Sequence, residues 1–194
     1  GSQSGVPAAQ VVARARPGAS RHTLPSMSAF IGRAEELERL EAVGRAAIAG
    51  DVAVALIVGE PGTGKSRLLA EAAKRIPLER QFQVVGYEPE RQVPLAAAAG
   101  MLRALAGVSG AGRPLGELVF NASRERGLAL GPVRILEATH RALEAVGPAL
   151  VVADDLQWVD GLSLALCHYL VRAAESSGAP LALIDDLGPR ALDL

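Results

Sequence analysis

The sequence predicts an α/β fold, a parallel sheet with helices packed on both faces. Three observations carry that expectation. Short apolar runs alternate along the chain with stretches of helical periodicity. The runs are continuous rather than alternating, as in strands buried on both sides. The first of them, VAVALIV at 52–58, leads directly into a glycine-rich turn and then a helix.

Each element has its own signal. Residues 34–49 set Leu37, Leu40, Val43, Ala47 and Ile48 at helical spacing, with Glu35 and Glu36 in the first turn and Gly50 and Asp51 as the stop. The strand at 52–58 follows. Lys65 to Ile76 reads as a helix ended by Pro77, because a residue before proline is pushed out of the helical region. FQVVG at 82–86 is the second strand and 95–107 a helix. Residues 107–116 hold four glycines and a proline and read as a surface loop. A helix is expected around 115–126 and a longer one over 133–146. ALVVA at 149–153 is the third strand, 163–176 a helix, and LALI at 181–184 the fourth strand. No internal repeat is visible.

Composition narrows the function. The chain has 194 residues, 49% hydrophobic and 21% charged, which fits one globular domain with a sizeable core. A formal net charge of -1 gives no global basic field for nucleic acid, and 3% aromatic content argues against a base-stacking surface. The apolar runs break well before the roughly 18 residues of a membrane span, so no membrane partner is expected. Cys167 is the single cysteine; it excludes an internal disulfide, suits a reducing cytoplasmic compartment, and reads as a small core residue on a helix. His22, His140 and His168 are scattered and form no metal-ligand pattern. Residues 1–34 carry Arg14, Arg16, Arg21 and Arg33 but no acid. GSQSG reads as a cloning remnant and Met27 as a natural start, so residues 1–27 are expected to be tag, linker or disordered arm. Residues 28–194 are expected to be the folded domain.

The turn at 59–66 carries chemistry. Gly59, Glu60, Pro61, Gly62, Thr63, Gly64, Lys65 and Ser66 fit G-x-x-x-x-G-K-[ST] without a gap, with Arg67 next. Glycines let successive N–H groups turn inward as an anion nest, and the following helix adds its positive end. Lys65 supplies a point charge to the β- and γ-phosphates, and the Ser66 hydroxyl a ligand to Mg²⁺. Such a P-loop needs a carboxylate from another strand end. ALVVADD supplies Asp154 for the metal and Asp155 one step further, facing the attacking water. Lys65 and Asp155 are the expected catalytic residues. Ser66 and Asp154 are the expected metal ligands, with ATP or ADP and Mg²⁺ as cofactors.

FIGRAEELERL (30–40), GEPGTGKSRLL (59–69), GYEPERQVPLAAAAGMLRAL (86–105) and VVADDLQWVDGLSLALCHYL (151–170) occur together in that order. The set resembles the N-terminal P-loop ATPase module of signal-transduction ATPases with numerous domains (STAND), and most of all that of large LuxR-type actinobacterial transcriptional regulators. The D-D-x-x-W-x-D run at 154–160 is its most discriminating part. The resemblance implies a three-layer P-loop core with strand order 1-4-3-2. It implies that Gly32 and Arg33 close the nucleotide site, that Trp158 packs the loop after the third strand, and that Asp160 begins the next helix. It further implies a slow switch whose parent binds DNA through a C-terminal domain and answers an effector. The family's usual arginine after the fourth strand, a γ-phosphate sensor, is replaced here by Asp185 and Asp186, with Arg190 further on. The fifth strand and helical lid are expected to be absent, which leaves 52–58 as a sheet edge covered by flanking segments or by a second chain in a homodimer. Three alternatives share these motifs: a regulatory module of an adenylyl cyclase or kinase, an origin-recognition-type loader ATPase, and a non-hydrolysing ADP-binding module.

Overall fold

A computed structural model describes residues 10–15, 33–121 and 131–187. In chain order the elements are β1 (Gln10–Ala15), α1 (Ala34–Ile48), β2 (Val52–Val58), α2 (Lys65–Arg75), β3 (Arg80–Val85), α3 (Ala99–Ala106), α4 (Arg113–Asn121), α5 (Pro132–Val146), β4 (Ala149–Asp154), α6 (Gly161–Ser177) and β5 (Leu181–Leu187). The strands form one sheet in the order β1-β2-β5-β4-β3. β2, β5, β4 and β3 are mutually parallel, the order 1-4-3-2 when these four are counted along the chain.

Alternation within each strand explains the layers. Ala149, Val151 and Ala153 of β4, with Leu181 and Leu183 of β5, face one core that also holds Met101, Leu105, Leu115, Ile135, Leu166 and Leu170. Leu150 and Val152, with Ala182 and Ile184, face the other, where Leu37, Leu40, Leu68 and Ile76 pack beneath Ala53, Ala55 and Ile57 of β2. Helices α1 and α2 therefore cover one face and α3 to α6 the other. Strand β4 is buried from Ala149 to Ala153 because it lies inside the sheet with a core on each side.

Five features differ from the expectations. Six residues of the segment set aside as 1–27, Gln10–Ala15, pair antiparallel with β2 from Gln10↔Val58 to Ala15↔Ala53. The edge of β2 is thus covered by a flanking strand. Helix α3 begins at Ala99 rather than 95, because Leu95 is held at φ 64° and the N–H groups of Leu95, Ala97 and Ala98 are taken by Asp160 and Ser163. The loop expected over 107–116 is shorter: α4 starts at Arg113, and Leu115 is fully buried in the core. Ile48, placed on the apolar stripe of α1, is 47% exposed, since the stripe that packs is Leu37, Leu40, Val43 and Ala47. Strand β5 runs to Leu187 rather than 184, so Asp185 and Asp186 pair within the sheet instead of following it. The remaining elements overlap the ranges that periodicity gives them.

Candidate functional site

The site sits where the carboxyl ends of β2, β4 and β5 meet the amino end of α2. Gly64 caps α2 at φ 79°, a conformation open to glycine without strain, and Gly62 turns the loop at φ 81°. Thr63, buried, ties the loop: its N–H and its hydroxyl both donate to the Glu60 carbonyl, at 3.3 and 2.8 Å. Lys65 Nζ folds back over the loop and donates to the carbonyls of Gly59 (3.0 Å) and Glu60 (3.3 Å), which holds its charge over the nest. Glu60, Pro61 and Arg67 are exposed along the loop and the start of α2. Arg33, just ahead of α1, donates from its guanidinium to the Thr63 carbonyl, and its other terminal nitrogen is buried. Gly32 and Arg190 lie outside the described residues.

Ser66 and Asp154, far apart in the chain, meet directly: Ser66 Oγ donates to Asp154 Oδ1 at 2.9 Å. Asp154 Oδ1 also accepts from the N–H of Asp155 at 3.1 Å. Asp155 itself adopts φ 56°, ψ 48°, the left-handed region that aspartate tolerates better than most residues. Its carbonyl accepts from the Trp158 N–H at 2.8 Å, closing a single 3-10 turn over Leu156–Trp158 in which Trp158 is half-buried. Asp160 caps α6, accepting from the N–H groups of Leu162 (3.2 Å) and Ser163 (2.9 Å). The same carboxylate accepts from Leu95 (2.8 Å) and Ala97 (3.2 Å) and so pins the segment after β3 to the turn after β4. Burial works against its charge, but the Ser163 hydroxyl and these N–H groups outweigh burial and hold its carboxyl below the usual range.

Two participants were missed by sequence reasoning. Gly86 carries its N–H to the Asp154 carbonyl (3.1 Å), and a Cβ there would lie 2.4 Å from the Asp155 carbonyl oxygen and 2.7 Å from the Trp158 and Val159 backbones. Its signal was a glycine closing a strand, which marks close backbone approach. Gln157 donates from Nε2 to Asp155 Oδ1 at 2.8 Å, and nothing in the spacing singles it out. Asp185, at a position where the resemblance implies a sensor arginine, lies in the sheet between Leu56 of β2 and Ala153 of β4. Burial pushes its carboxyl up to about 7. Cys167 is buried in the core as expected, its thiol pushed up to about 12 by burial and by Asp185 and Asp160.

Among known proteins, the family model described as AAA ATPase domain matches residues 29–184. No curated protein and no solved structure matches the chain. The family implies ATP, usually with Mg²⁺. The donors present fit that ion: one hydroxyl and one carboxylate, both hard oxygen ligands, brought together at the end of the phosphate loop. No cluster of three or more His, Cys, Asp or Glu side chains that could hold a metal ion exists among the described residues. None of the described helices is long and apolar enough to cross a membrane.

Proposed function

The chain belongs to the AAA ATPase domain family, and from that premise we propose that it is a slowly hydrolysing ATP switch, working in the cytoplasm within a larger regulatory protein. The observation that carries the proposal is the 2.9 Å contact of Ser66 with Asp154, which brings metal ligand and phosphate loop to one point. Lys65 neutralises charge on the phosphoryl oxygens, Ser66 and Asp154 hold the magnesium, and Asp155 orients the attacking water and takes up its proton. Magnesium, when bound, screens the phosphates against the incoming oxygen. Arg33 closes the rim of the site through Thr63. The slow rate is expected because Asp185 and Asp186, both within β5, offer no second cation to the γ-phosphate where the resemblance implies an arginine.

The four sequence segments that resemble LuxR-type regulators support transcriptional control as the context, with DNA bound by another domain of the same protein and an effector setting the state. Phosphate release and ATP titration test the proposal. Turnover is expected below ~1 s⁻¹, the low end for enzymes. Lys65→Ala is expected to weaken ATP at least tenfold, about 1.4 kcal/mol. Asp154→Ala is expected to lose the magnesium dependence of binding, and Asp155→Asn to keep binding and lose turnover. Several turnovers per second would favour a motor-like loader, and unchanged affinity in Lys65→Ala would remove the phosphate-loop assignment.

A further inference from the structure

The 3-10 turn after β4 holds a contact that the proposed function leaves unused. Gln157 Nε2 donates to Asp155 Oδ1 at 2.8 Å. The orientation of this amide follows from chemistry: an ionised carboxylate only accepts, so nitrogen faces it. Both residues are half-buried, where a fixed hydrogen bond is worth more than in water. The two neighbouring aspartates thereby divide their tasks. Asp154 Oδ1 is committed to Ser66 and to the backbone, Asp155 Oδ1 to Gln157. The other end of the amide, Oε1, is buried and accepts from no donor among the described residues. A buried acceptor left so is costly, and a side chain that only braced the turn would gain nothing by it.

We infer that Gln157 is the positioning residue for Asp155 in ATP hydrolysis. Its N–H fixes Oδ1, which leaves Oδ2 to receive the proton, and its Oε1 offers a second acceptor beside that carboxylate. In the step, the water oxygen bonds to the γ-phosphorus, the bond to the β–γ bridging oxygen breaks with its electron pair leaving on ADP, and the water proton passes to Asp155. Without the amide the carboxylate turns about its own axis and loses alignment. The inference rests on Asp155 acting as the proposed base.

The test uses the whole chain, with Gln157→Met (similar length, no N–H), Gln157→Glu and Asp155→Asn, followed by magnesium–ATP turnover across pH and by nucleotide titration. Gln157→Met is expected to lower kcat at least tenfold, a part of the roughly 10²–10⁴-fold that a general base contributes, with ATP affinity inside twofold of the parent. Gln157→Glu is expected to be slow near neutrality and to regain activity as pH falls, when the protonated glutamic acid can again donate to Asp155. This recovery reads the hydrogen bond even if the methionine variant folds poorly. Gln157→Met with the parent's kcat, beside an inactive Asp155→Asn, would overturn the positioning role and leave the base intact. Asp155→Asn indistinguishable from the parent would overturn both.

Discussion

Asp185 shows how one side chain couples the sheet to pH. Its carboxyl is buried between β2 and β4, with one oxygen lacking a hydrogen-bond partner among the described residues, and burial raises it to about 7. An unfolded aspartate titrates near ~3.9. Between those values the folded chain holds a proton that the unfolded chain has released, so stability falls as pH rises and levels off above about 7. Asp160 has the opposite sign: its lowered carboxyl supports the fold above the unfolded value and loses that support only in acid, so it is constant over this window. Asp185→Asn is therefore expected to gain stability relative to the parent between pH 5 and pH 8, measured by urea unfolding at both. An equal pH dependence in the two proteins would show that Asp185 carries its charge in the fold. The phosphate loop and Asp154 were legible as residues because their chemistry demands fixed types at fixed spacing. Asp185 was legible only as a departure, since its burial comes from strands distant in sequence.

At the level of elements, the segment from Gly86 to Ala98 is the part the sequence renders worst. Periodicity alone extends a helix back to residue 95. Asp160 and Ser163, on a different element, capture the N–H groups that such a helix would leave open at its start. The long, strongly patterned elements were readable, and the exceptions are places where a distant side chain competes for backbone. Gly86 belongs to the same junction. A methyl group there meets backbone atoms of Asp155, Trp158 and Val159, which cannot swing aside as a flexible side chain would. Gly86→Ala is expected to cost about 1–3 kcal/mol by overpacking, several degrees in melting temperature for a chain of this size. It is also expected to lower turnover more than ATP affinity, because the displaced turn carries Asp155 and not the phosphate loop. Thermal melts and phosphate release measure the two effects, and an unchanged melting temperature would mean that the two turns part without strain.

Over the whole molecule, the parallel order β2-β5-β4-β3 followed from alternation and family likeness, whereas the antiparallel β1 did not. Arginine-rich, acid-free sequence gives no strand signal of its own, and the pairing depends on an unsatisfied edge that exists only once β2 is in place. Deleting residues 1–15 is expected to bare the apolar strand 52–58 and raise self-association, visible in light scattering at fixed concentration; an equally monodisperse shortened chain would show that β1 protects nothing. The same strand has a mechanical meaning. Because β1 runs against β2, Gln10 lies opposite Val58, the last residue before the phosphate loop, and Ala15 lies at the far end. A pull on Gln10 directed across the strands, away from Val58, would open the ladder one rung at a time from that end. The first rung to give would be the one beside the phosphate loop, so tension applied at that end would reach the loop before any other part of the sheet.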